Sequence, residues 1–178
     1  MNGRIYVIDA CALIDASKNY PLGKKTFQSI WEKIAELFDE GCLISSSEIF
    51  DEIKDKDIAE WLIPYKGNFL PIDEQIQKTT KDVLKKFPNM ININKNKKSS
   101  SNGDPFLVAT AIEKNGVIVT NEKNGMYKIP AVSKEFNVET INLIQFIDEI
   151  MEWSYFYNNK NRKEKKLWIQ KFRYINKV

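Results

Sequence analysis

The 178 residues are 43% apolar and 29% charged, the profile of one domain with a sizeable core, which excludes a disordered or fibrous chain. There is no histidine, so Ser-His-Asp and Cys-His catalysis, His-based zinc sites and histidine general-base chemistry are excluded. The net charge of +3 hides an asymmetry: residues 1–150 sum to −3, whereas residues 151–178 carry eight Lys/Arg against two Asp/Glu and sum to +6.

Arg4 to Asp9 reads as a short apolar strand that ends abruptly in a carboxylate, and Ala12-Leu13-Ile14 suits the start of a helix. Phe27, Ile30, Trp31, Ile34, Leu37 and Phe38 recur at helical spacing and predict an amphipathic helix closed by Gly41. Cys42-Leu43-Ile44 is a second strand, after which Ser45-Ser46-Ser47-Glu48 offers N-cap hydroxyls and a capping-box acid for a helix through about Asp55. On that helix Glu48, Glu52 and Asp55 would share a face. Ile58 to Ile63 predicts a helical turn or two stopped by Pro64, and Ile72, Ile76, Val83, Leu84 and Phe87 outline a further amphipathic helix.

The stretch 92–103 holds Asn-Lys-Asn-Lys-Lys-Ser-Ser-Ser-Asn-Gly and predicts a surface loop. Asp104-Pro105 then predicts an N-cap and a first helical residue for Phe106 to Ile112, with Gly116 as the stop. Val117 to Thr120 is a strand running into Asn121-Glu122. Ile129 to Phe136 suits a short helix, Val138 to Asn142 a final strand, and Leu143, Ile144, Ile147, Ile150 and Met151 the stripe of a last core helix. Alternation of strands and helices predicts an α/β three-layer α/β/α sandwich on a mainly parallel sheet, with ligand sites beyond the C-terminal strand ends. The main domain is expected over 1–152, followed by a basic, aromatic and helical segment over 153–178. No run is long and apolar enough to span a membrane, and Met1 to Val7 lacks the features of a secretory signal, so a cytoplasmic protein is expected. Cys11 and Cys42 have no ligand-like spacing and read as buried reduced thiols.

Asp9 and Glu122 thus follow two strands, and Asp104 opens the helix leading into the second of them. If these acids converge, they repel unless a cation neutralises them, and an all-oxygen set suits Mg²⁺ or Mn²⁺. The order of four pieces resembles the PIN domain nucleases, in particular a group of bacterial and phage PIN-like proteins related to toxin-antitoxin toxins. The pieces are Tyr6-Val7-Ile8-Asp9 with Ala12-Leu13-Ile14-Asp15, Ile44-Ser45 leading to Glu48 through Lys54, Asp104-Pro105 through Ala111, and Val119-Thr120-Asn121-Glu122. Lys128 to Phe136 and Ile141-Asn142-Leu143 extend the likeness over roughly residues 4–150.

That resemblance implies a PIN-like fold and metal-dependent cleavage of RNA, with Asp9, Glu52, Asp104 and Glu122 lining the metal site and Glu48 as the alternative on the second helix. It also implies supporting hydroxyls at Thr120 and Ser45, an antitoxin partner and a homodimer. The chain departs from the family pattern at Cys11, where a hydroxyl or amide residue is usual, and at Glu122, where aspartate is usual. The other reading of the same fold is an RNA- or protein-binding module without catalysis. For binding nucleic acid, Lys95, Lys97 and Lys98 in the loop before Asp104 and Lys163 and Lys166 in the basic tail are the candidates, since lysines attract phosphate and the tail's aromatic rings can stack on bases.

Overall fold

The computed structural model describes residues 4–91 and 103–159. The expected surface loop with Lys95, Lys97 and Lys98, and the tail beyond Asn159 with Lys163 and Lys166, lie outside the described residues.

Five parallel strands form one sheet: β1 (Tyr6–Ile8), β2 (Leu43–Ser46), β3 (Phe69–Leu70), β4 (Val117–Val119) and β5 (Thr140–Ile141), in the order β3-β2-β1-β4-β5. The register pairs Tyr6 with both Leu43 and Val117, so β4 ends level with β1 and β2 runs one residue beyond it. Val7, Ile8, Leu43, Ile118 and Val119 have no exposed surface. Such strands, covered on both faces, read as continuous apolar runs rather than alternating ones.

Between the strands run α1 (Ala10–Asn19), α2 (Gln28–Asp39), α3 (Ser47–Glu52), α4 (Lys56–Leu62), α5 (Glu74–Lys86), α6 (Asp104–Lys114) and α7 (Ile129–Glu135), and α8 (Leu143–Asn159) follows β5. One layer contains α1, α2, α4 and α8, with α1 touching α4 and α8 and α2 touching α8; the other contains α5, α6 and α7. This is the expected α/β/α sandwich. It follows from right-handed crossovers: the chain moves from β1 to β3 in one direction across the sheet and from β3 to β5 in the other, which places the connecting helices on opposite faces. The short α3 touches both α1 and α6.

Several local expectations are corrected. The helix after β2 ends at Glu52, with Ile53 extended, and Asp55 instead caps α4 by accepting the Ile58 amide at 3.3 Å. Asp55 therefore does not share a helix face with Glu48 and Glu52. No side-chain hydroxyl caps α3; Ser45 and Ser46 belong to β2. Pro64 does not end the helical region but sits in a 3-10 turn, Ile63–Asn68, that leads into β3, a strand too short to show a period. Asn115, in the left-handed region at φ 49°, closes α6 one residue before the expected Gly116. Among the described residues, no helix is long and apolar enough to cross a membrane.

Candidate functional site

The strand order changes direction between β1 and β4, because the connection leaving β1 passes to one face and the one leaving β4 to the other. In open parallel sheets, the crevice beyond the carboxyl ends of such a pair is where ligands bind. Asp9 is the first residue after β1 and Thr120 the first after β4. The Asp9 amide donates to the Val119 carbonyl at 3.0 Å, so the ladder itself holds the two strand ends together.

Asp9 occupies the N-cap position of α1, yet its side chain makes no capping hydrogen bond. Its Oδ2 instead accepts from the Thr120 hydroxyl at 2.7 Å and the Cys11 thiol at 2.7 Å. The carboxylate is only 6% exposed. Burial raises its pKa above the ordinary value, against the lowering effect of the bonds from Cys11, Thr120 and the Cys11 backbone, and the negative charge of Glu122 raises it further. A helix cap would not need this cost, so local structure does not account for a buried acid here.

Cys11 stands beside Asp9, to which its thiol donates. Burial, then the Asp9 charge and hydrogen bond, push its thiol up to about 12, which keeps it protonated and donating. Both Cys11 and Cys42 are free and half-buried. Thr120 links two acids, since its Oγ1 also accepts the Glu122 amide at 3.0 Å. Asn121 braces the same turn, donating to Asp15 Oδ2 at 2.8 Å and accepting the Leu143 amide at 3.0 Å. It thereby fastens the turn to α1 and to the first residue of α8.

Glu122 is gripped at both oxygens: Lys128 donates to Oε1 and the Ile129 amide to Oε2 at 2.8 Å. The hydrogen bond that Lys128 donates to Glu122 is the main cause holding the Lys128 pKa above its ordinary value; burial opposes it, and the charges of Glu122, Asp104 and Asp9 add to it. One ammonium thus feels three carboxylates from three separate elements. Of the three acids, Glu122 is the one that Lys128 contacts, and Asp9 is joined to Glu122 through the Thr120 hydroxyl.

The cap of α6 falls on Gly103, which corrects the expectation that Asp104 is the cap: Asp104 is the first helical residue. The Gly103 amide donates to Glu52 Oε1 at 2.9 Å. Glu52, from α3, thereby holds the start of the helix that carries Asp104, with its charge placed favourably at a helix N-terminus. Glu48 lies half-buried in the first turn of α3, and among the hydrogen bonds and ion pairs described it takes part in none. Ser45 does not reach the acids; its hydroxyl donates to the Ile8 carbonyl at 2.6 Å and ties β2 to the residue before Asp9.

An all-oxygen set of carboxylates matches a hard divalent cation. As the side chains stand, no group of three or more Cys, Asp or Glu among the described residues is close enough to hold a metal ion. The chemistry of the donors fits a metal, while Glu122 would have to leave its present partners to join it. Sequence reading missed Lys128, Asn121 and the thiol donor at Cys11 as parts of the site. No periodicity marks them, and a lysine six residues beyond an acid has no signature on its own.

Residues 6–155 match the sequence family described as Domain of unknown function (DUF4411). No curated protein matches the chain.

Proposed function

We propose that this chain, which belongs to the family described as Domain of unknown function (DUF4411), is a Mg²⁺- or Mn²⁺-dependent nuclease that hydrolyses RNA phosphodiester bonds. The observation that supports this reading is the buried Asp9 carboxylate at the switch point of the sheet, joined to Glu122 through the Thr120 hydroxyl. The resemblance to PIN domain nucleases supports it independently.

Asp9 and Asp104 are the residues that would hold the metal, with Glu122 joining them and Glu52 either joining or holding Asp104 in place. The metal would supply a water of lowered pKa and stabilise charge on the departing oxygen. The protein's own contribution is orientation. Thr120 and Cys11 fix the Asp9 carboxylate by donating to Oδ2, and Glu52 fixes the first turn of α6 through the Gly103 amide. Both acids are thus presented on rigid elements, which is what a site needs if reacting groups are to be held to within a fraction of an ångström. Binding of RNA by Lys95, Lys97, Lys98, Lys163 and Lys166, an antitoxin partner, a homodimer and a cytoplasmic location belong to the same proposal.

A second reading, a binding module that does not cut, is favoured by one observation: Glu122 is engaged at both oxygens by Lys128 and Ile129. A single experiment separates the two. RNA is incubated with the protein in Mg²⁺, in Mn²⁺ and in EDTA, alongside Asp9→Asn and Asp104→Asn. The nuclease reading expects cleavage that needs metal and disappears in both variants. Equal cleavage by the variants rejects it, and RNA binding without cleavage that survives EDTA establishes the binding module.

A further inference from the structure

Four large apolar side chains stand exposed among the described residues: Ile63, Met126, Tyr127 and Ile144. A single exposed apolar residue needs no explanation, but three of these four follow the carboxyl ends of neighbouring strands. Met126 and Tyr127 lie between β4 and α7, and Ile144 is the second residue of α8, just after β5. Asn121 joins the two segments by accepting the Leu143 amide at 3.0 Å. An apolar rim thus borders the strand ends where the buried Asp9 carboxylate sits. We propose that this rim binds unpaired nucleobases of an RNA strand, with Tyr127 as the residue on which a base stacks. This role rests on the RNA-cleaving reading above and narrows its substrate to single-stranded RNA.

The turn that carries Tyr127 is held at both ends. Glu122, whose amide donates to Thr120 at 3.0 Å, accepts from the Lys128 ammonium and, at 2.8 Å, from the Ile129 amide. The Lys128 amide donates to the Gly125 carbonyl at 3.0 Å. Glu122 is thereby clasped to Lys128 and Ile129, and Met126 and Tyr127 are left outside the clasp, 73% and 38% exposed. The same hydrogen bonds lead back to the strand ends, since the Thr120 hydroxyl donates to Asp9 at 2.7 Å. A ring on a fastened turn has less conformational freedom to lose on binding than one on a free loop. Among the described residues, Tyr127 has no hydrogen-bond or ring partner of its own.

Charge favours a nucleic-acid strand as the occupant. Lys123, in the same turn, is exposed and has no ion-pair partner among the described residues, and lysines attract phosphate. Single-strand binders combine aromatic rings with basic groups, because every base has a face to stack while the backbone carries the charge. Bases inside a duplex stack on one another, so a stacking residue selects unpaired RNA.

Binding of a fluorescein-labelled oligouridine to the full chain is measured by fluorescence anisotropy in EDTA, and the same strand annealed to oligoadenosine is the duplex probe. Wild type is compared with Tyr127→Ala, with Tyr127→Trp, which keeps a ring, and with Ile63→Ala, which removes an exposed apolar residue ahead of β3. Tyr127→Ala is expected to bind the single strand about tenfold more weakly, the scale of one base stacked on an aromatic ring, with an unchanged urea midpoint. Tyr127→Trp and Ile63→Ala are expected to follow wild type, and duplex binding to be indifferent to Tyr127→Ala. Equal single-strand binding by wild type and Tyr127→Ala, the same loss on the duplex, or a Tyr127→Trp as weak as Tyr127→Ala overturns the stacking role. Loss of self-association on size exclusion in Tyr127→Ala, with RNA affinity unchanged, assigns the rim to a second copy of the chain and overturns it as well. No binding of either probe by wild type also overturns it, and RNA cleavage in Mg²⁺ or Mn²⁺ would leave the nuclease reading standing in each of these cases.

Discussion

Replacing Asp9 by asparagine should make the metal-free protein more stable and the metal-loaded protein less so. Three donors address the Asp9 carboxylate: the Thr120 hydroxyl, the Cys11 thiol and the Cys11 backbone amide. Asparagine keeps an oxygen of the same shape as acceptor, so each surviving bond falls from a charged to a neutral one, a loss of about 1 kcal/mol apiece at most. Against this, a carboxylate only 6% exposed no longer has to be stripped of water, which costs several kcal/mol for a buried ion after relaxation. The repulsion from Glu122 disappears as well. Burial is the largest influence on this group, so the balance favours asparagine, by about 1–2 kcal/mol. For a domain of this size that is roughly a 2–8 °C rise in Tm.

Under the proposed metal-dependent reading, bound metal reverses the order. A ligand at 100 times its Kd stabilises the state that binds it by about 2.7 kcal/mol, a gain open to wild type and closed to Asp9→Asn. Urea unfolding of both proteins, in EDTA and in excess Mn²⁺, should give stability curves whose ranking crosses between the two conditions. If Asp9→Asn is the less stable protein in EDTA, the hydrogen bonds outweigh desolvation and the energetic argument is wrong. If Mn²⁺ stabilises both proteins equally, Asp9 does not hold the metal.

Two further outcomes follow from the same structure. A Cβ at Gly103 would lie 2.7 Å from Glu52 Oε1 and 2.8 Å from Ile49 Cδ1, so Gly103→Ala should cost about 1–3 kcal/mol by overpacking and weaken Mn²⁺ binding by shifting Asp104; wild-type urea midpoint and Mn²⁺ affinity in the variant would contradict this. Burial first, and then the 2.7 Å hydrogen bond to Glu149, raise the pKa of Tyr6 above its ordinary 10.0. The neutral phenol is thus favoured in the folded chain: its stabilising contribution is complete below pH 10.0 and declines as the pH rises beyond it. The stability of wild type relative to Tyr6→Phe should therefore fall by about 1.4 kcal/mol per pH unit above that point, and parallel curves for the two proteins in urea melts from neutral to strongly alkaline pH would refute it.

Much of the architecture was legible in the chain because its signals are periodic or terminal. Trp31, Ile34, Leu37 and Phe38 repeat at helical spacing and line the buried face of α2; Ile76 and Val83 do the same in α5. The apolar runs at Val7-Ile8 and Ile118-Val119 are buried strands. β3 was not legible, since a two-residue strand, Phe69–Leu70, has no period and is defined only by pairing with Ser45 and Ser46. The break between α3 and α4 was missed because Glu48, Glu52 and Asp55 fit a helical repeat that the extended backbone at Ile53 interrupts. Asp104-Pro105 was off by one position, since the cap fell on Gly103, whose amide Glu52 takes up from a different helix.

The sequence by itself determined the alternation of strands and helices, and with it a parallel sheet covered on both faces, because a continuous apolar run and an apolar repeat of 3.6 residues are local instructions. It also determined that any site must work without histidine, and that acids stand next to strand ends. What only the tertiary structure decided is which of those acids share a field. Asp9 and Thr120 are 111 positions apart and meet because β1 and β4 are neighbours at the point where the strand order turns. Lys128 enters the cluster because the turn before α7 folds back onto Glu122. Such meetings depend on the register of distant strands and on the path of one loop, and charge interactions of this kind depend on distance in space, which no spacing along the chain encodes.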